Sequence, residues 1–206
     1  APNASTTPCL KNNYITFGSF NSLPKINRSV VEVWARILKG VPGSKLFMKA
    51  RGLADDGVKN YFAGLFQNER IEKERLIFSE MKGTLNEHLS EYAKVDIALD
   101  PFPYNGATTS CEALWMGVPV ITLAGERHAG RVGVSILKRL GLESFITESK
   151  SSYIAAARAA AQNPGMLAEL RKNMRNIMAS SALCGADSFT RKFEEALMSV
   201  YPRSQV

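Results

Sequence analysis

Residues 103–112 have the sequence Pro103-Tyr104-Asn105-Gly106-Ala107-Thr108-Thr109-Ser110-Cys111-Glu112. They lie between an apolar run at 95–100, which predicts a buried strand, and an apolar segment at 113–116, which predicts a helix. α/β proteins build anion sites from a strand, a short turn and a helix, because the first N–H groups of the helix have no partner within it and carry partial positive charge. Gly106 would let the backbone approach a ligand closely, and the following hydroxyl groups are potential donors.

The same stretch also has a purely structural interpretation. Thr109-x-x-Glu112 matches the capping box, in which a threonine caps a helix and a glutamate bonds back to the N-cap amide. The two interpretations are compatible, because Thr108 could donate to a phosphate while Thr109 caps the helix. Glu112, one turn into the helix, could accept hydrogen bonds from a sugar diol.

Length and composition indicate one globular domain. The chain has 206 residues, of which 45% are hydrophobic and 22% charged. No apolar run approaches the roughly 20 residues of a membrane span, so we expect no membrane partner. Residues 1–12 are mostly polar and are predicted to form a linker or tail, with the domain at 13–206. The three cysteines have no paired spacing, which favours a reducing compartment and a cytoplasmic location.

The net charge of +7 suits an anionic partner, either a nucleotide or a nucleic acid. The basic residues are spread over the chain, and the densest group, 171–175, is predicted to be a solvated helix face. Because basic and aromatic residues are not interleaved and no recognition motif is present, we expect no nucleic-acid binding.

Strand and helix patterns alternate along the chain. The predicted strands are 14–20, 45–50, 75–79, 95–100 and 120–123, with a short element near 145–146. The predicted helices are 30–38, 55–66, 85–92, 113–116, 131–140, 152–162, 165–178 and 187–201. This order predicts an α/β fold with a Rossmann-like, doubly wound, mostly parallel sheet and C-terminal helices. Ligands of such sheets bind beyond the carboxyl ends of the strands, here the loops 21–27, 80–84, 101–109 and 124–130.

Two common nucleotide motifs are missing from the sequence. There is no GxGxxG after the first strand and no GxxxxGK[ST], which disfavours ordinary dinucleotide binding and P-loop chemistry. Asp96 and Asp100 are predicted to lie on one face of a strand, with Asp96 at its solvated start, and no Asp-x-Asp pair offers a metal site. We therefore expect neither a metal nor a cofactor.

Several stretches resemble the O-linked N-acetylglucosamine transferases, the glycosyltransferases of family 41. The resemblance is strongest to bacterial members in which TPR repeats precede the catalytic region, and it covers nearly the whole chain from Asn13 onward. The stretches that carry it are 14–21, Lys25-Ile26, 86–89, Asp100 with 105–109, and 114–122. The resemblance implies the C-terminal lobe of a two-lobed GT-B enzyme, the lobe that holds the nucleotide-sugar, without the N-terminal lobe and the TPR repeats.

The resemblance also implies roles for particular residues. Lys25 matches the lysine that meets the diphosphate of the UDP-sugar, where it would stabilise the departing UDP. His88 matches a histidine that packs against uracil, with a buried helix-face residue as the alternative. Arg131 matches a recurrent arginine, which is either a ligand contact or a structural or surface charge.

The turn supplies the other implied contacts. Thr108 and Thr109, together with the preceding Asn105 and Gly106, match the segment at the phosphates. Glu112 stands where the family has an acidic residue on the ribose hydroxyls.

Three positions depart from the family pattern. Ser22 replaces a glutamine near the phosphate, and Leu85 and Glu91 replace basic residues around the base in the animal enzymes. Base recognition is therefore expected to rest on backbone groups of 80–84, and the sugar could be glucose or galactose as well as N-acetylglucosamine.

The resemblance implies a metal-independent, inverting transfer from a UDP-sugar to Ser or Thr of a protein acceptor bound through the N-terminal lobe and TPR repeats. The isolated chain would then bind UDP without turnover. Two alternatives stay open at this point. One is a non-catalytic nucleotide-binding module, and the other is a different GT-B enzyme, such as a glycan transferase or a UDP-sugar epimerase.

Overall fold

A computed structural model describes residues 1–81 and 83–201. Within them a six-stranded, wholly parallel sheet has the order β3-β2-β1-β4-β5-β6. The strands are β1 Thr16–Ser19, β2 Lys45–Ala50, β3 Leu76–Glu80, β4 Ile97–Leu99, β5 Val120–Leu123 and β6 Ile146–Thr147. The predicted Rossmann-like, doubly wound sheet is therefore confirmed. Lys82, within the predicted loop 80–84, and residues 202–206 of the predicted domain lie outside the described residues.

Helices connect the strands and complete the chain. The described helices are α1 Cys9–Asn12, α2 Arg28–Gly40, α3 Asp56–Asn68, α4 Leu85–Ser90, α5 Thr108–Trp115, α6 Val132–Arg139, α7 Lys150–Ala161, α8 Pro164–Ala179 and α9 Ala186–Val200. Side-chain caps start several of them, for example Asn27 on the amide of Val30 before α2 and Asp55 on the amide of Val58 before α3. None of the helices in the described ranges is long and apolar enough to cross a bilayer.

The strand order places the switch point of the sheet between β1 and β4. From β1 the chain proceeds outward to β2 and β3, then returns to β4 on the other side of β1. The loops after β1 and β4 therefore diverge at neighbouring carboxyl ends and leave a crevice between them. The core holds these strands in place, with Phe17, Trp34 and Ile97 fully buried in one cluster.

Asp96 corrects one expectation. It is buried at the start of β4 and its two carboxylate oxygens accept from the amides of Cys9 and Thr16, at 2.9 and 2.8 Å. Burial raises its pKa. The prediction of a solvated strand end was wrong because α/β packing brings two amides to this carboxylate, an effect that local sequence does not show.

The basic group 171–175 corrects a second expectation. The Arg171 guanidinium is buried and donates to the carbonyls of Val95 and Tyr92, both at 2.8 Å. Arg175 donates to the carbonyl of Trp115 at 3.0 Å and contacts its ring. These two arginines join α8 to the domain, so they are not part of a solvated face.

The first residues also contact the domain. Cys9 is buried, Arg171 donates to the carbonyl of Ser5 at 3.1 Å, and Arg175 donates to that of Pro2 at 2.6 Å. The segment predicted as a linker thus packs on α8 in this structure.

Candidate nucleotide-binding site

The turn after β4 is held by a buried carboxylate. Asp100 accepts from the amide of Gly106 at 2.6 Å and from the hydroxyl of Thr122 at 2.7 Å. Burial raises the pKa of Asp100 to about 7, and both hydrogen bonds and the nearby charge of Lys25 act in the opposite direction. The carboxylate therefore fixes the path of the chain from β4 to α5.

Gly106 is required by this packing. A Cβ atom there would lie 2.5 Å from Thr109 Oγ1, 2.8 Å from Ser110 Oγ and 2.9 Å from Asn21 Oδ1. The residue is buried and its amide is already bonded to Asp100. Close packing against the protein therefore requires a glycine here, and the close approach of a ligand to this backbone stays a prediction.

The N-terminus of α5 is open. Its N-cap, Ala107, has no side-chain cap, and both Ala107 and Thr108 are exposed. The amide of Cys111 bonds the carbonyl of Ala107, so the amides before it precede the first intrahelical bond. The predicted capping box was wrong: the helix begins one residue earlier than Thr109, and Glu112 bonds other partners.

Lys25 lies beside this helix end. Its ammonium donates to the carbonyl of Asn105 at 2.9 Å and stands 4.1 Å from the ring centroid of Tyr104. Burial lowers the pKa of Lys25, while the charge of Asp100 raises it. The short 3₁₀ turn Leu23–Lys25 after β1 thus places a cation at the turn that leads into α5.

The loops after β1 and β4 are tied together across the crevice. The Thr109 hydroxyl donates to Asn21 Oδ1 at 3.0 Å, and Asn21 is buried. Between the loops lies a cleft of about 490 Å³, a volume in the usual range for small-ligand sites. Residues that line it include Ser22, Lys25, Arg51, Met81, Thr108 and Thr109.

Glu112 and His88 meet next to the cleft. Glu112 Oε2 lies 3.0 Å from His88 Nε2 and 3.4 Å from the hydroxyl of Tyr92. The His88 ring is buried beside Phe20 and Tyr92, and its Nδ1 has no hydrogen-bond partner among the described residues. The structure therefore joins the residue expected at the ribose to the residue expected at the base.

Two further predicted residues have structural contacts. The amide group of Asn105 is buried: its Nδ2 donates to the carbonyl of Pro101 at 3.1 Å, and its Oδ1 accepts from the amide of Gly133 at 3.4 Å. Its side chain thus has protein partners, and the ligand contact expected of it stays a prediction. Arg131 is exposed, precedes α6 and donates to the carbonyl of Gly125 at 3.1 Å. That bond fits the structural alternative, and a ligand contact stays a prediction.

Three residues that matter for the site were not predicted as site residues. Asp100 shapes the turn, Asn21 ties the loops together, and Tyr104 packs against the Lys25 ammonium. Asp100 ends a predicted strand, Asn21 directly follows one and Tyr104 lies in the turn, so position relative to the carboxyl ends was the available signal. Their partners are up to 88 residues away along the chain, which sequence spacing does not reveal.

The six-stranded parallel sheet has the Rossmann-like fold of GT-B glycosyltransferase C-terminal lobes, and an open helix N-terminus beside a lysine at its switch point suits an anionic ligand. A family model described as "Glycosyl transferase family 41" matches residues 4–193. The chain therefore belongs to glycosyl transferase family 41, as the resemblance indicated.

Curated relatives agree with the family. The chain is 41% identical over 197 residues to "Probable UDP-N-acetylglucosamine--peptide N-acetylglucosaminyltransferase SPINDLY" of Hordeum vulgare, an alignment that covers 96% of this chain and 21% of the relative. It is 27% identical over 195 residues to the Caenorhabditis elegans UDP-N-acetylglucosamine--peptide N-acetylglucosaminyltransferase, which covers 94% of this chain and 16% of that protein. The chain thus spans 21% of the length of the first relative and 16% of the second.

Solved structures confirm the fold. A mutant of the Thermobaculum terrenum O-GlcNAc transferase superposes with a TM-score of 0.84 at 36% identity, over 89% of this chain and 35% of that one. Anabaena HepE, solved with UDP and glucose, matches with a TM-score of 0.62 at 14% identity, over 95% of this chain and 52% of that one. The second likeness shows a shared fold only.

Proposed function

We propose that this chain is the donor-binding lobe of an enzyme that transfers N-acetylglucosamine, or a related hexose, from a UDP-sugar to Ser or Thr of a protein. The observation that carries the proposal is the position of the Lys25 ammonium beside the open N-terminus of α5. An ammonium group and unpaired amides together favour a diphosphate, which carries its charge at the point where the sugar leaves. The printed names of the relatives support the sugar and the acceptor class.

The transfer would be a single displacement with inversion. The acceptor hydroxyl attacks the anomeric carbon, its oxygen forms the new glycosidic bond, and the bond to the diphosphate breaks with its electron pair on UDP. Lys25 and the amides of Thr108 and Thr109 would stabilise the charge that develops on UDP, and the hydroxyl proton would pass to a group of the other lobe. Because this lobe supplies fixed positive charge, we propose that no metal is needed.

The remaining predicted contacts follow the geometry of the cleft. The exposed Thr108 hydroxyl can donate to a phosphate, whereas that of Thr109 is held by Asn21. Glu112 has one oxygen on His88 and Tyr92, and its second oxygen is available for a ribose hydroxyl. His88 would present its ring edge at the base end of the cleft.

Calorimetry with UDP tests the proposal. Wild-type chain is expected to bind UDP, and Lys25→Ala is expected to weaken binding at least tenfold because a charge-assisted contact with the diphosphate is lost. Lys138→Ala removes an exposed lysine at the far end of α6 and is the matched control, with unchanged affinity expected. Equal affinities of wild type and Lys25→Ala, or no binding at millimolar UDP, would contradict the proposal.

Sugar transfer is proposed for a two-lobed protein that contains this lobe. We propose that the isolated chain hydrolyses or transfers no UDP-N-acetylglucosamine, and that a two-lobed parent does so in the presence of EDTA. Loss of the parent's activity in EDTA, restored by a divalent cation, would contradict metal independence.

A further inference from the structure

Lys49 is a buried lysine near the end of β2. Its residue is only 2% exposed, and it pairs in register with Ser79 of β3. The ammonium itself is not enclosed: Nζ is not one of the fully buried side-chain atoms of the described residues that lack a partner, and the side chain lines a cavity. In the ranges 1–81 and 83–201, no hydrogen bond or ion pair satisfies the Lys49 ammonium; its defined contact is the Phe20 ring, 5.6 Å from Nζ to the centroid.

The acidic residues near Lys49 are bonded to other groups. Burial lowers the pKa of Lys49, and the charges of Glu91, Glu112 and Glu87 act in the opposite direction. Glu91 bonds Lys94, Glu112 bonds His88, and Glu87 bonds the Thr84 cap. Within the part of the chain that the structure describes, none of these carboxylates bonds the Lys49 ammonium, whose three donors face the cavity.

The Lys49 side chain lines a cavity of about 820 Å³ that also includes Phe78, Gly83 and Glu87. This cavity adjoins the diphosphate cleft: Ala50, the next residue, lines the cleft, and Phe20 lines the cleft while it contacts the Lys49 ammonium. Phe20 also packs on His88, with ring centroids 5.7 Å apart. Lys49 therefore stands beside the rings at the far end of the cleft from Lys25.

We propose that Lys49 selects the base of the bound nucleotide by donating a hydrogen bond to a carbonyl oxygen on the edge of the base. This inference rests on the proposed function, which places the diphosphate at α5 and the ribose at Glu112, and so leaves the base beside Phe20 and His88. Uracil and guanine carry a carbonyl where cytosine and adenine carry an amino group. An ammonium group has only donors and cannot pair with an amino group.

Calorimetry with four nucleoside diphosphates tests the assignment. Wild type is expected to bind UDP at least tenfold more tightly than CDP, because at the position where the two bases differ uracil offers the Lys49 ammonium a carbonyl acceptor and cytosine an amino group. Lys49→Met should reduce UDP affinity about tenfold and leave CDP affinity nearly unchanged, which removes the preference. GDP and ADP form the second pair, and the tighter of UDP and GDP identifies the base that the lobe prefers.

Three variants make the result specific. Lys59→Met removes a lysine that lines the same cavity but bonds Asp56 at 2.9 Å, and it should keep the wild-type preference. Lys25→Ala should weaken all four nucleotides equally. Lys49→Gln, whose amide both donates and accepts, should also lose the preference, and it replaces Lys49→Met if that variant fails to fold.

One result would overturn the inference: a Lys49 variant that retains the wild-type ratio of UDP to CDP affinity, whether both affinities are unchanged or both are weakened by the same factor. If wild type binds UDP with dependence on Lys25 and the ratio does not depend on Lys49, the proposed function stands and base selection by Lys49 is wrong. If folded wild type binds none of the four, both fail.

Discussion

Helices α4 and α5 begin at the same edge of the sheet with the same sequence pattern, yet their N-termini differ. Thr84-x-x-Glu87 forms a complete capping box, in which Thr84 Oγ1 accepts from the amide of Glu87 and Glu87 bonds back to the amide of Thr84. The backbone hydrogen bond of Thr84 lowers the pKa of Glu87. Thr109-x-x-Glu112 forms no such box.

The difference comes from tertiary partners. The Thr109 hydroxyl donates to Asn21, and the Glu112 carboxylate is hydrogen-bonded to His88 and Tyr92. With both capping groups engaged elsewhere, α5 keeps its first amides unpaired beside Lys25. The unused capping pattern thus leaves open the amides that the proposed diphosphate contact requires.

The largest effect is expected from Gly106→Ala, which alters the turn that leads into α5. The added Cβ would overlap Thr109, Ser110 and Asn21, so the start of α5 must shift. We expect a loss of about 1–3 kcal/mol in the free energy of unfolding, measured in urea, together with loss of UDP binding.

The control is Gly64→Ala in α3, where a Cβ meets nothing within 4 Å. Its expected gain is about 0.5–1 kcal/mol, with UDP binding intact. Normal UDP affinity in Gly106→Ala would show that the geometry of this turn is unimportant.

An intermediate effect is expected from Asp100, which holds the same turn. Its pKa is about 7 in the folded chain and about 4 when unfolded, so between these values the folded state binds more protons. The Asp100 contribution to stability is therefore greatest below about pH 4, falls as the pH rises, and is constant above about pH 7. Urea unfolding from pH 4 to 8 should show a fall that Asp100→Asn reduces. If the free energy of unfolding changes with pH in the same way for wild type and Asp100→Asn, ionisation of Asp100 does not cause the fall.

The smallest effect is expected at α4. Thr84→Ala removes the cap and should cost about 1 kcal/mol in the free energy of unfolding, with UDP affinity within twofold of wild type. Thr108→Val at the open end of α5 is the counterpart: we expect little change in stability and several-fold weaker UDP binding. If Thr84→Ala weakened UDP binding and Thr108→Val did not, the two helix ends would not differ in function as proposed.

Much of the fold was predictable from local patterns. Strands β2 and β5 have the predicted bounds. Helices α2, α3 and α8 begin and end within two residues of the predicted positions, because their apolar periods match the faces they bury. The short helix α1 was missed, since its burial depends on Asp96, 87 residues away. The Lys25 ammonium does bond the predicted turn, through the carbonyl of Asn105.

The details of the site were less predictable, because they depend on contacts between distant segments. The packing of Gly106 against Asn21 and Thr109 could not be predicted from the sequence, and Glu112 could not be distinguished from a capping residue without knowledge of its contact with His88. Lys49 gave no signal in the sequence, where it follows three apolar residues of an ordinary strand. The cavity that its side chain lines becomes visible only when the strands are assembled.

A crystal structure of the chain with UDP tests the central claim most directly. The account predicts the diphosphate at the N-terminus of α5, with phosphate oxygens about 3 Å from the amides of Thr108 and Thr109 and from Lys25 Nζ. A diphosphate bound elsewhere, or a Lys25 ammonium that stays on Asn105 and makes no phosphate contact, would contradict it.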